Sequence, residues 1–188
     1  MQRRRPDGAE LTWRVVLVGG AAWRRPWPML VQWETPDDER VSLEPPVAHP
    51  NGARGIAGIA IAVANLETAS SIYQDNLGLS RGQADDVPAL GARRVTYHLG
   101  DCAIQLLSPA GPGQLQQVLA DWGEGPFELT LTVAGLEQAR RSLSAAGVEP
   151  TPREGTPAAL AVPPDQALGT PLVFEAAGAR RSETVGVG

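Results

Sequence analysis

The apolar positions of this chain change period in a regular order. Residues 56–64 form a continuous apolar run, and the following 66–76 segment places Ala69, Ile72, Tyr73 and Leu77 at helical spacing, which predicts a strand feeding a helix. Asn65 stands where an N-cap is needed and Gly78 just past the helix end. Short strands are expected near 80–84, 92–99 and 102–108, the last two joined by a tight turn at Gly100 and Asp101. A short helix near 113–121 follows. The order then repeats, with a strand over 127–133, a helix over 135–146, and strands near 148–153, 157–162 and 170–176. Ahead of all this, 11–18 and 29–34 read as two strands around a loop rich in Gly, Arg, Pro and Trp. A Pro-, Asp- and Glu-rich linker, 35–54, ends in a turn at His49, Pro50, Asn51 and Gly52. A two-stranded ribbon is marginal alone in water, so the first 34 residues must dock on something.

The two strand–helix units are an internal duplication. Val63 and Val133, Leu66 and Leu136, Glu67 and Glu137, and Ala69 and Ala139 are each 70 positions apart. Each helix closes on a glycine, Gly78 in one copy and Gly147 in the other. A fixed period is evidence about the whole fold, and each copy reads as β-α-β-β-β.

Composition narrows the function classes. A formal net charge of −5 gives no basic surface for nucleic acid. All 16 basic residues are arginine, which together with 21 Gly and 17 Pro fits the codon bias of a GC-rich bacterial genome rather than arginine chemistry. Met1 to Arg5 reads as a solvated start. No apolar run approaches the roughly 20 residues of a membrane span, and no signal-peptide pattern opens the chain. The single cysteine, Cys102, excludes an internal disulfide, suits a reducing cytoplasm and is expected to be an inert buried thiol. Gly111-Pro112-Gly113 and Gly123-Glu124-Gly125 are turn chemistry with no phosphate-loop pattern.

The strand–turn–helix starts at Ile59 and Leu129, the Leu77-Gly78-Leu79 ending and the strand from Cys102 to Pro109 resemble the vicinal oxygen chelate superfamily, the glyoxalase and bleomycin-resistance-like proteins. The resemblance covers residues 55–177 and implies an α+β fold: tandem βαβββ half-modules forming a curved eight-stranded mixed sheet, with an N-terminal hairpin appendage. Trp13-Arg14, Pro28 to Trp33 and His49 to Ala53 further resemble proteins carrying two such domains in series. On that resemblance, residues 1–34 are the tail of a preceding glyoxalase-like domain, 35–54 a linker, 55–177 the domain and 178–188 a disordered tail. The chain then reads as N-terminally shortened, the alternative being a genuine hairpin appendage. Homodimers are common in this fold and are expected here.

The superfamily holds a divalent metal in the concave face, with ligands from the first and last strand of each half, and uses it as a Lewis acid on two neighbouring substrate oxygens. Carried over by the repeat, those positions fall on Gly58, Gln105, Glu128 and Val173. Only Glu128 is a strong ligand type and Gln105 a weak one, short of the usual three or four. Glu175 shares the parity of Val173, yet two carboxylates and an amide remain without histidine. No cofactor is therefore expected, a divalent metal on an incomplete ligand set being the alternative, and the two-His-one-carboxylate set of an iron dioxygenase is not filled. His49 falls in the linker and His98 mid-strand.

Alternation places Glu128, Thr130 and Thr132 on one strand face and Leu129, Leu131 and Val133 on the other. A helix covers the apolar face, so Glu128 points into the concavity, where a carboxylate with a raised pKa can act as a general base. Gln105 lies between Ile104 and Leu106, and a buried amide needs partners or a ligand. With Thr130, His98, Thr96 and Trp122, these make the candidate ligand-binding set. Trp122 either flanks the ligand mouth or packs the connection between modules. Trp13, Trp23, Trp27 and Trp33 are expected to anchor the hairpin on the cup or on a second subunit. The first functional expectation is a metal-free domain binding a small organic molecule in its concave pocket. The alternatives are a lyase or isomerase acting on a small oxygenated metabolite through Glu128, with or without metal, and a structural remnant of a longer two-domain protein.

Overall fold

The computed structural model describes residues 1–18, 26–43, 48–153 and 158–178. Strands β1 (Gln2–Arg4), β2 (Glu10–Leu17) and β3 (Met29–Trp33) form a small antiparallel sheet, followed by a helix α1 (Asp37–Leu43). Then come β4 (Ala53–Ala62), α2 (Leu66–Ser71), β5 (Gln83–Val87), β6 (Ala92–Leu99), β7 (Cys102–Pro109) and α3 (Gln114–Trp122). The second copy supplies β8 (Gly125–Val133), α4 (Leu136–Ala145), β9 (Thr151–Pro152), β10 (Ala159–Val162) and β11 (Leu172–Ala176). These last eight strands make one mixed sheet in the order β5-β6-β7-β4-β8-β11-β10-β9. The α+β architecture expected from the repeat is the architecture observed.

The duplication is visible in the register. In the first half β4 runs parallel to β7, with Gly58 opposite Ala103 and Ala60 opposite Gln105. In the second half β8 runs parallel to β11, with Thr130 opposite Val173. The halves meet at an antiparallel seam where Ala60 faces Glu128 and Gly58 faces Thr130. Advancing Gly58 and Ala60 by the repeat period gives Glu128 and Thr130, so the seam is its own symmetry mate.

Each half covers one sheet face with its helix. Ile61, Val63, Val95, Tyr97 and Leu106 bury against Ala69 and Tyr73, and Tyr73 stacks on Tyr97 with ring centroids 5.5 Å apart. Val133, Leu160 and Phe174 bury against Ala139, with Leu131, Leu136 and Leu143 packed around them. Asn65 caps α2 as expected, its side-chain oxygen accepting the Thr68 amide at 2.8 Å. Gly78 and Gly147 end the two helical segments with φ of +68° and +78°, a region L side chains avoid.

The differences from expectation have local causes. The 66–76 segment is helical throughout, but its second turn widens to a π-helix over Ile72–Asn76. The strand expected at 80–84 begins three residues later, and the one at 148–153 shrinks to two residues at the sheet edge. The linker contains α1, whose signal is electrostatic rather than periodic: Asp37, Asp38 and Glu39 sit at its positive end and it buries nothing. The arginine-rich start is strand β1, paired with β2, rather than a bare solvated tail. Cys102 is half-buried rather than buried. The expected disordered tail lies, from residue 179 on, outside the described residues, as does Trp23.

The N-terminal segment docks on the helix side of the main sheet, not on the cup. The Tyr73 hydroxyl donates to the Pro26 carbonyl at 2.5 Å, and Trp27 packs on the cluster around Tyr73. Trp13 and Trp33 instead pair with each other across β2 and β3, centroids 5.4 Å apart.

Candidate functional site

The uncovered face of the sheet carries the candidate residues, and the register assigns each to its place. Facing residues on neighbouring strands project to the same side. One row runs Gln83, Thr96, Gln105, Ala60 and Glu128, and the next runs His98, Ala103, Gly58, Thr130, Val173 and Ala161. Gln105, Glu128, Thr130, His98 and Thr96 therefore share one face in two adjacent rows; alternation predicts this for Glu128 and Thr130, and the register adds the other three. Ala60, Ala103 and Gly58 between them carry at most a methyl group, which leaves the floor low. Glu128 and Thr130 are buried, Gln105 half-buried and His98 exposed.

Two features of this face were not legible in the sequence. The first is α3, read there only as a bridge. It lies on the same side as Glu128, burying Leu115 with Ala60, Ala62, Leu107 and Phe127, and so fills one end of the concavity. Trp122 at its C-terminal end is 67% exposed.

The second is Arg153. Its amide donates to the Ala159 carbonyl, extending β9, and its Nη1 donates to Glu128 Oε2. β9 lies three strands from β8 in the sheet order. On a flat sheet that separation is about 14 Å, so the contact requires the edge to curl over the middle. The pair thus records the curvature of the cup. It also means that Glu128, expected to act as a general base in the concavity, is held by a guanidinium. The contact was invisible because the two residues are 25 positions apart with no periodic relation between them.

The metal positions can be tested as a donor set. Gly58, Gln105, Glu128 and Val173 do occupy one face, and Glu175 opposite Thr132 shares it. Gly58 and Val173 offer no donor, and Arg153 already engages the strongest one. Among the described residues no group of three or more His, Cys, Asp or Glu is placed to hold a metal ion. These residues do not fit the divalent metal of the resembled superfamily. His49 is remote from the face, its Nδ1 donating to Asn51 Oδ1 at 2.6 Å.

Two open grooves, of about 270 and 460 Å³, flank α2 on the opposite face. Ala64, Asn65, Ser108 and Pro109 line one; Ser70, Gln74, Arg81 and Gly82 line the other. Neither touches Glu128 or Gln105. Both carry mixed charge on exposed side chains, whereas the cup gathers buried polar groups, and the cup is therefore the stronger candidate.

Comparison with known proteins supports the fold described above. Residues 1–77 match a family described as glyoxalase-like domain, across the ribbon, the linker and the first strand–helix unit. No curated protein matches the chain. Methylmalonyl-CoA epimerase from Mycobacterium tuberculosis is similar in structure, with a TM-score of 0.62 and 21% identity over 73% of this chain and 97% of that one. Streptomyces coelicolor methylmalonyl-CoA epimerase in complex with 2-nitronate-propionyl-CoA gives 0.57 and 20%, covering 67% of this chain and 99% of that one. A hypothetical protein from Bacillus halodurans gives 0.56 and 23%, covering 64% and 92%. The chain has the vicinal oxygen chelate fold, and the glyoxalase-like resemblance read from its sequence holds. Among the described residues no helix is long and apolar enough to cross a membrane.

Proposed function

We propose that the concave face binds a small organic acyl compound without the metal set of its superfamily. The observation that carries this reading is the row of Thr96, Gln105 and Glu128, with Thr130 beside it, on a floor otherwise made of Gly58, Ala60 and Ala103. Polar side chains held among small neighbours on a half-covered face are expensive unless they have partners. Glu128 has one in Arg153. For Gln105 no protein partner is found among the described residues, and a ligand supplies one. Some of the structurally similar epimerases were solved with methylmalonyl-CoA or 2-nitronate-propionyl-CoA, which makes an acyl-CoA the first compound class to try.

In this reading Gln105 donates or accepts one hydrogen bond to the ligand, Thr130 and Thr96 orient it, and α3 closes one end of the cup. Isothermal titration of the full chain with methylmalonyl-CoA and propionyl-CoA tests it. Saturable binding that Gln105→Leu weakens supports the reading. Binding of neither compound, or binding indifferent to Gln105, contradicts it.

A further inference from the structure

We infer that the Arg153 guanidinium is the resident cation of this concave face, standing where the superfamily places a divalent metal and offering N–H groups to a carbonyl oxygen of the ligand. The inference rests on the concave-face reading above.

Three observations lead to it. The first is position: Glu128 is the residue that the repeat places at the first-strand ligand site of the second half, and Arg153 Nη1 is bonded to its Oε2. A metal ion at Glu128 would have to displace that guanidinium and then find its remaining ligands among Gly58, Gln105, Val173 and Glu175, of which Gly58 and Val173 offer no donor and none is a histidine. The second is accessibility. The Arg153 side chain is 25% exposed and that of Glu128 10% exposed, so the guanidinium is the more accessible member of the pair. The third is donor supply. A guanidinium has five N–H donors in a planar fork. Among the described residues Glu128 is the one partner found for the Arg153 side chain, which leaves Nε and Nη2 for a ligand.

Charge decides which ligand group suits this fork. Arg153 and Glu128 neutralise each other. Glu175 faces the same side, opposite Ala159, the residue whose carbonyl the Arg153 amide meets. Asp85 and Arg94 further along the face form their own bidentate pair. The guanidinium charge is already matched by Glu128, so a free carboxylate would add an unmatched negative charge to the pair. A neutral acceptor such as a thioester or ketone oxygen adds no such charge and still takes a charge-assisted hydrogen bond.

Two titrations on the full chain test this. The first uses Ni²⁺ alone. The expected result is no stoichiometric uptake by the wild-type chain; one Ni²⁺ per chain that is lost in Glu128→Gln overturns the inference, whatever else binds. The second uses propionyl-CoA on wild type, Arg153→Lys and Arg153→Gln, with amide spectra checking that each variant keeps the native fold. The expected loss is at least tenfold in Arg153→Gln, with partial rescue in Arg153→Lys, which keeps the charge and loses the fork. Unchanged affinity in Arg153→Gln overturns the inference and leaves the concave-face reading standing. No propionyl-CoA binding by wild type removes the carbonyl assignment together with that reading for acyl-CoA ligands, and the nickel result then decides the cation alone.

Discussion

Ala60 and Glu128 face each other across the two central strands, and that pairing fixes the side of the sheet on which every candidate residue lies. Because Ala60 also faces Gln105 on its other flank, the amide and the carboxylate sit two strands apart in one row. A single-residue slip at this seam would turn Glu128 toward α4 and Leu129 toward the cup.

Breaking the Glu128–Arg153 pair from either side should destabilise the protein. Arg153→Leu leaves a buried carboxylate without its partner, and Glu128→Leu leaves a guanidinium without its anion. Each is expected to cost about 1–3 kcal/mol, and the double variant less than the sum, because both orphaned charges are then gone. Urea denaturation of the four proteins checks this; strict additivity would mean that the two groups do not interact in solution.

Tyr73→Phe removes the hydrogen bond to the Pro26 carbonyl inside a buried site and should cost about 1–3 kcal/mol. Hydrogen exchange should rise around Pro26 to Trp33 more than in β4, since this bond ties the N-terminal segment to the main sheet. Burial, with Tyr97 adding to it, pushes the Tyr73 hydroxyl well above its ordinary value of 10.0. The unfolded chain therefore releases this proton first. The contribution to stability is complete below about pH 10 and declines as pH rises beyond it. Tyr73→Phe should flatten that alkaline decline, as read from melting temperature between pH 9 and pH 11.

Gly82→Ala places a Cβ 2.6 Å from Val95 Cγ1 and 2.7 Å from the Thr96 carbonyl oxygen. The backbone oxygen cannot swing away, so the entry to β5 must shift, at about 1–3 kcal/mol. A thermal melt indistinguishable from wild type would show that this segment packs differently.

The two copies differ at their helix starts, which gives a paired test. Asn65 caps α2 with its side chain, while Gly135 before α4 makes no side-chain cap and has open space where a Cβ would go. Asn65→Ala should cost about 1 kcal/mol, whereas Gly135→Asn should gain a few tenths. Opposite signs in chemical denaturation support the assignment of both caps.

Much of the fold was legible because the repeat imposes two periods at once. The runs from Ile59 and Leu129 are alternating or continuously apolar, the helices after them carry Ala69 and Ala139 at matching positions, and both survive as β4–α2 and β8–α4. Glu128 and Thr130 share one face because strand parity alone fixes it, and Gln105 joins them through its register with Ala60. What escaped has no periodic trace. α1 is short and buries nothing. The face that α3 covers depends on how the sheet curls, not on its own pattern. Arg153 reaches Glu128 only because three strand spacings are folded inward, a property of the assembled sheet. Of the tryptophans, Trp27 docks opposite the cup, and Trp13 packs on Trp33.

The most direct test of the central claim is a ¹⁵N amide spectrum of the full chain recorded while methylmalonyl-CoA is added. The account predicts saturating shifts at Thr96, Gln105, Glu128 and Thr130, with small changes along α2. Shifts confined to the grooves beside α2, around Ser70 and Arg81 or Asn65 and Ser108, or no shifts at all, would contradict it.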